Sequence, residues 1–362
     1  MTVYHAEHDV TLHQGHVLDV LPTLPTESAN CVVTSPPYYG LRDYGVEGQI
    51  GLEASPAEYV ETMRRVFAEV RRVLRPDGVL WLNLGDSYAR GNTGQGNDGP
   101  ASSLQGGIRP SFRNDKASVL PTKRVAGMDP KNLLGVPWRV AFALQDDGWT
   151  LRNDVIWSKP NAMPESVTDR LACRYEHVFL FSKSRRYWFD LDPIREPLAH
   201  PDAADGTRIF GGKQGGDGKV GSSFRTAGGM PNAYGGSTWE QRKASGEASR
   251  HGLAGRSAAG GKGDMATNPR GRNPGDVWTI PTAPYPAAHF ATFPPELARR
   301  CIAAGCPPDG TVLDPFTGSG TTLMVARRLL RKSIGIELNA AYCELIVDRI
   351  GQPIFDFGEA TA

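Results

Sequence analysis

Apolar and polar positions fall into blocks along this chain, and the period of each block predicts an element. Residues 10–12 read as a short strand, Gly15-His16 as a turn, and residues 17–21 as the start of a helix. Val32-Val33-Thr34 is a β-branched run that stops at Ser35-Pro36-Pro37-Tyr38. It reads as a buried strand delivering a stiff turn, because each proline fixes its own φ and biases its predecessor towards extended geometry. Ser55-Pro56-Ala57-Glu58 combines a helix cap, a proline at the first helical position and a capping-box glutamate. From there Tyr59, Met63, Val66, Phe67, Val70, Val73 and Leu74 keep spacings of three and four, which predicts a helix ended by Pro76-Asp77-Gly78. Arg64, Arg65, Glu69, Arg71 and Arg72 fill the other face and read as solvated. Residues 79–84 are the next buried strand, followed by Gly85-Asp86-Ser87-Tyr88.

Further along, residues 137–145 predict a helix, and 150–159 and 176–182 predict strands. Trp157 reads as core, whereas Lys159 and Asn161, just past a strand end, are candidates for lining a pocket. Order resumes at 276–281, a helix covers 296–304 with Gly305 as its stop, and 311–314 is a strand. Gly318-Ser319-Gly320 is a tight turn, 321–330 a helix and 333–337 a strand ending in Glu337. This βαβ unit has the form nucleotide-type cofactors exploit: glycines permit close approach, and an acid roughly 20 residues on bonds ribose hydroxyls. A phosphate-gripping loop would need Gly-Lys-Ser/Thr, and a dinucleotide fold a third glycine or alanine where Leu323 stands, so both are disfavoured. A cofactor ending in a zwitterionic amino acid, S-adenosylmethionine, fits better.

Two stretches lack any period. Residues 91–131 are rich in Gly, Asn, Ser and Pro and read as a long mobile loop. Residues 206–275 are dominated by Gly, Ser, Ala and Arg and cannot bury a core of their own. Between Arg208 and Arg272 there are 11 Lys or Arg against 4 Asp or Glu, so a chain whose formal net charge is only +1 concentrates positive charge in this tract. A solubilising linker is the bland alternative. The 362 residues suit one large α/β domain with insertions. The five cysteines form no C-x-x-C pair and read as reduced core thiols, with no metal site. No Pro-Cys dipeptide exists, which removes the usual nucleophile for methylating cytosine carbon 5. No apolar run approaches bilayer length, and the expectation is a soluble, cytoplasmic protein without a membrane partner.

Thr34-Ser35-Pro36-Pro37-Tyr38, together with Asp314-Pro315-Phe316-Thr317-Gly318-Ser319-Gly320-Thr321-Thr322, closely resembles the DNA amino-methyltransferases of the beta class, in which the catalytic motif precedes the cofactor motif. The resemblance implies a Rossmann-like α/β fold, a mostly parallel sheet with helices on both faces and S-adenosylmethionine as cofactor. It divides the chain into a catalytic half at 1–192, a target-recognition insertion at 193–275, a cofactor half at 276–352 and a tail at 353–362. It assigns Ser35, Pro36, Pro37 and Tyr38 to catalysis, places a further pocket-lining motif at Gly85-Asp86-Ser87-Tyr88, and likens Gly148-Trp149, residues 153–161, Pro164-Glu165-Ser166, Arg170 and Glu176-His177 to the family's late sheet motifs and the segment that enters the target-base pocket. Asp314, Pro315, Phe316, Gly318, Ser319, Gly320 and Thr321 go to the cofactor, as do Glu337, on its ribose hydroxyls, and His289, Phe290 and Thr292 near its methionine end. The family usually has Gly-Asp where this chain has Gly15-His16, with the acid on the adenine; Asp19 is a substitute or, more simply, a solvated helix-face acid. The implied partner is double-stranded DNA, with a companion restriction endonuclease and a monomeric or homodimeric state left open.

The amine of cytosine or adenine is a poor nucleophile because its lone pair is conjugated with the ring. Acceptors at Ser35 and at the Pro36 carbonyl let the nitrogen pyramidalise, and Tyr38 stacks on the base. In the family, Ser-Pro-Pro-Tyr goes mostly with cytosine N4 and Asp-Pro-Pro-Tyr mostly with adenine N6, so cytosine N4 is the first expectation and adenine N6 the second. Two rivals of other classes remain: a non-catalytic DNA-binding or cofactor-sensing module, and a methyltransferase acting on RNA or a protein amide.

Overall fold

The computed structural model describes residues 2–7, 9–89, 128–198, 270–283 and 293–351. Two compact units divide the chain, Met1–Trp188 with Gly275–Ala362, and Phe189–Pro274. In the first, nine strands form one sheet: β1 (Thr2–Glu7), β2 (Val10–Gln14), β3 (Ala29–Thr34), β4 (Leu74–Leu84), β5 (Thr150–Ser158), β6 (Tyr175–Ser182), β7 (Val277–Thr279), β8 (Thr311–Asp314) and β9 (Lys332–Glu337). Their spatial order is β1-β2-β9-β8-β3-β4-β6-β5-β7. Every neighbouring pair is parallel except those involving β1 and β6. The expected α/β architecture is what the chain adopts. Because one direction dominates, the carboxyl ends of β2, β9, β8, β3, β4 and β5 meet on one edge, joined there by the amino end of β6.

Alternation along the strands feeds two cores. Val32, Leu80, Leu82, Leu84, Phe179 and Phe181 face α2 (Pro56–Val73) and α3 (Val136–Asp146), whose apolar stripes carry Met63, Phe67, Val70, Val140 and Leu144. Cys31, Val79 and Trp81 point the other way, towards α4 (Pro295–Gly305). That helix ends on Gly305, where a Cβ would lie 2.6 Å from the Trp81 indole nitrogen, so only glycine lets it approach so closely. Two further helices, α5 (Thr321–Arg328) and α6 (Ala340–Gly351), flank β9, and a single turn, α1 (Val17–Val20), follows β2. Cys31, Cys301, Cys306 and Cys343 are buried free thiols.

The Ser55 cap forms as expected, with its hydroxyl accepting from the Glu58 N–H. Several expectations need correction. The helix after it stops at Val73, not at Pro76, and Leu74 already opens β4; Pro76 pushes Arg75 out of helical geometry, and the exposed residues 75–77 pass as an irregularity between the pairs Ala29–Leu74 and Cys31–Val79. Its arginines are not all solvated. Arg72 donates to the carbonyls of Leu21 and Leu24, and Arg64 grips Asp147 at 2.6 and 2.9 Å, tying α2 to the end of α3. The helix expected at 321–330 ends at Arg328, and Leu330 takes a positive φ of 56°. Strand β1, which has little apolar character to announce it, pairs antiparallel with β2. In the second unit, Arg195 and Arg270 both hold Asp192, and Glu196 and Arg272 form an antiparallel bridge. The loop expected at 91–131 lies outside the described residues except for 128–131, as do residues 199–269, which include 206–269 of the basic tract, and the tail from 352.

Candidate active site

At the convergent strand ends lies a cavity of about 230 Å3. One water needs roughly 10–15 Å3 of such space, so this is room for an organic ligand. Its lining brings together Ser35, Pro36, Pro37 and Tyr38 with Asp314, Pro315, Phe316, Gly318, Ser319, Thr321 and Glu337. The two motifs, almost 300 residues apart in sequence, share one wall because β3 and β8 are adjacent strands. Thr34 donates its hydroxyl to Asp314 Oδ1 at 2.7 Å and locks the two strand ends in register. Gly320 lies behind this wall: its φ of 78° makes the turn into α5. His289, Phe290 and Thr292 fall outside the described residues.

One side of the cavity is built around two buried carboxyls, Asp314 and Glu337. Glu337 accepts from the Gly318 N–H at 2.9 Å and the Asn339 N–H at 2.8 Å, so it joins the glycine turn to the start of α6. Burial pushes Glu337 up to about 7, against those two hydrogen bonds, and pushes Asp314 up to about 6. Two acids held high by desolvation, beside an apolar ring at Phe316, suit a ligand that is itself cationic, as a sulfonium with an ammonium group is. The residues therefore fit S-adenosylmethionine. A bound cation favours the ionised acids, so cofactor affinity should rise as pH goes from 6 to 8, with proton release on binding. Titration calorimetry in buffers of different ionisation enthalpy measures both, and a flat affinity would contradict this placement. The sign for stability is opposite. An acid whose folded value is raised stabilises the fold below its ordinary value, and that contribution is lost as pH climbs towards 7.

Arg349, from the buried face of α6, was not singled out in the sequence. Its guanidinium donates to the Ser319 carbonyl, the Ser319 hydroxyl and the Thr321 hydroxyl at 2.8 to 2.9 Å and so fixes the turn. An arginine in phase with Cys343 and Ile346 was the available signal. Arg349→Met keeps the stem but removes these donors, and should cost about 2 kcal/mol of stability and raise KM for the cofactor; an unchanged denaturation midpoint and KM would show that the turn holds itself.

The other side of the cavity holds a polar cluster. Tyr38 is half-buried as a ring, yet its hydroxyl is enclosed, donating to Glu176 Oε2 at 2.7 Å and accepting from Asn83 Nδ2 at 2.7 Å. Asn83 Nδ2 also reaches Glu176 Oε2 at 2.9 Å and Ser35 Oγ at 3.3 Å. Lys159 pairs with Glu176 Oε1. Burial alone would push the Glu176 carboxyl up, but Lys159, Tyr38 and Asn83 together hold it below its ordinary value. Burial, and then the Glu176 charge, push the Tyr38 phenol well above its own. Lys159 thus lines the cavity, as expected. Asn161 instead exchanges hydrogen bonds with the Thr282 backbone. Trp157 is both core and wall: its indole N–H donates to the Ile280 carbonyl, while its ring carries Lys159 Nζ 4.5 Å from its centre. Asn83, a polar residue inside an apolar strand, was the signal that pattern reading passed over, whereas Glu176 was legible only through the family resemblance, and it lines the cavity.

One other assignment changes. Asp86 is not in the lining; it caps α3, accepting from the Gly135 and Val136 N–H groups. His16 lines the cavity and caps α1 with Nδ1, whereas Asp19 is exposed, in line with its solvated reading. Residues 41–50 supply Leu41, Arg42, Tyr44, Val46, Gly48, Gln49 and Ile50 to the wall. Among the described residues no helix is long and apolar enough to cross a membrane.

A family model described as DNA methylase, N6_N4_Mtase, matches residues 29–348. The chain is 41% identical over 342 residues to the Type II methyltransferase M.XycI of Xanthomonas campestris pv. cyanopsidis, across 94% of this chain and 87% of that one. Its identity to the Type II methyltransferase M.SmaI of Serratia marcescens is 39% over 337 residues, across 93% and 89%. Among solved structures it resembles the PvuII DNA methyltransferase (cytosine-N4-specific), with a TM-score of 0.56 at 18% identity over 96% of this chain and 88% of that one; this likeness concerns the fold.

Proposed function

Because the chain belongs to the N6/N4 family of DNA methylases, we propose that it transfers a methyl group from S-adenosylmethionine to the exocyclic N4 amine of a cytosine turned out of duplex DNA. The observation that carries this choice of base is Ser35. A neutral hydroxyl occupies the first position of the turn, in a cluster whose one negative charge, Glu176, is already paired with Lys159. In the family that serine goes mostly with cytosine N4 and an aspartate there mostly with adenine N6. A second carboxylate at Ser35 would stand beside Glu176 and raise the cost of keeping both ionised.

The bound cofactor supplies an electrophilic methyl group on sulfur. The residues do the rest. Asp314, Phe316 and Glu337 hold the donor, and Ser35 and the Pro36 carbonyl accept the amine hydrogens so that the nitrogen turns its lone pair towards the methyl carbon. Tyr38 stacks on the base, and its ring face and the oriented oxygens stabilise positive charge as it develops on nitrogen. No covalent adduct with the enzyme is needed. The basic tract between Arg208 and Arg272 is the DNA-recognition insertion in this reading, and the chain is the modification member of a Type II restriction-modification pair. Nucleoside mass spectrometry of DNA from expressing cells tests the base: N4-methylcytosine is expected, and N6-methyladenine in its place would overturn the choice.

A further inference from the structure

We propose that Glu176 is a positioning residue for methyl transfer: acting through Tyr38, it turns the Ser35 oxygen towards the substrate amine and receives, along the same line, the proton that the amine gives up. The inference rests on the reading above and adds to it a direction for every hydrogen bond in the cluster.

Direction follows from what each group can do. An ionised carboxylate only accepts, so the Tyr38 hydrogen points at Glu176 Oε2, 2.7 Å away. The phenol oxygen then serves as acceptor, taking Asn83 Nδ2 at 2.7 Å and the Ser35 hydroxyl hydrogen at 3.3 Å. Asn83 also donates to Ser35 Oγ at 3.3 Å. With its hydrogen committed inward and one lone pair occupied, Ser35 has a lone pair left for an amine hydrogen and none of its own to give. It therefore works as an acceptor, not as a donor to a ring nitrogen. Lys159 on Oε1 keeps Glu176 charged, which fixes the sense of the whole chain. Glu176 is 5% exposed, so the line Ser35, Tyr38, Glu176 runs inside the protein.

The same line balances the reaction. The amine lone pair forms the N–C bond as the S–C bond breaks and leaves its pair on sulfur. The nitrogen, now positive, is a strong acid. Its proton passes to Ser35 Oγ as the Ser35 proton passes to Tyr38 and the Tyr38 proton to Glu176. The N–H pair returns to the ring, three O–H bonds form and two break, and Glu176 ends as a neutral acid beside Lys159. Even a carboxylate held below its ordinary value is basic enough for so acidic a donor.

Glu176→Gln and Tyr38→Phe each cut the line at one link, the second without disturbing the Glu176–Lys159 pair. Single-turnover methylation should fall by about 10²-fold in each, with cofactor and DNA dissociation constants within about twofold of the parent. The double variant should be no slower than the slower single one, because a line cut once is already cut. A full rate in either single variant, multiplying losses in the double, or losses that follow the dissociation constants overturns the proposal. If Glu176→Gln does not fold, Tyr38→Phe decides alone: a full rate overturns, and a rate loss at preserved affinities supports. Scoring N4-methylcytosine and N6-methyladenine together separates this from the choice of base, since a parent enzyme making only the second fails that choice while the rate ratios still test the line.

Discussion

Lys159→Met should destabilise the protein by about 3–5 kcal/mol at pH 8, the loss expected when one partner of a buried ion pair is removed. Glu176 is 5% exposed and the Lys159 side chain 11%, so water cannot replace the ammonium. The pH dependence identifies the cause. In the parent, Glu176 is held below its ordinary value, so its contribution is present above that value and lost as pH falls through it. In the variant, burial outweighs the hydrogen bonds from Tyr38 and Asn83 that remain, and the carboxyl rises above its ordinary value. Its contribution is then present at low pH and lost as pH rises. The gap between parent and variant should narrow at pH 5, where the variant escapes by protonating Glu176. Urea denaturation at pH 5 and pH 8 measures it, and equal losses at the two pH values would mean that packing on Trp157, not charge, is what Lys159 contributes.

Glu337→Ala is expected to weaken cofactor binding by about 10²-fold, from the loss of charge-assisted hydrogen bonds to a ribose at roughly 1.5–3 kcal/mol each, while kcat stays within a few-fold. A contact made equally in ground and transition states moves KM and leaves the chemical step alone. The free protein should lose less stability above pH 7 than below it. Above pH 7 the buried carboxylate is ionised against its preference, so its removal offsets part of what the lost bonds to Gly318 and Asn339 contribute. Isothermal titration and steady-state kinetics read the two effects separately. A fall in kcat at unchanged cofactor affinity would remove Glu337 from the ribose.

What was legible in the sequence was local. The strand stopping at Ser35-Pro36-Pro37, the cap at Ser55 and the βαβ unit ending in Glu337 are each specified by residues a few positions apart, through proline φ, side-chain caps and glycine turns. The contacts that no local pattern writes are made across the sheet. Glu176 meets Tyr38 from 138 positions away, Thr34 meets Asp314 from 280, and no periodicity encodes such a meeting. Arg349 was hidden for another reason: an arginine in an apolar stripe looks like the polar edge of a helix until its three acceptors are seen. The early end of α2 shows tertiary pairing overriding a helical pattern, since Leu74 keeps the helix spacing but is claimed by its partner Ala29 on β3.

The strand order also sets a timetable for synthesis. Strands β2 and β3 are made early, yet the partners that close the gap between them, β8 and β9, are encoded more than two hundred residues after β4. At translation rates of about 5–20 residues per second, roughly ten to fifty seconds separate the two. Throughout that interval the nascent chain carries two unpaired sheet edges, the kind of surface that recruits other strands. Production of this protein should therefore be limited by aggregation on the ribosome, and improved by slower growth or by holding chaperones. Methylation can begin only once residue 337 has emerged and the sheet has closed.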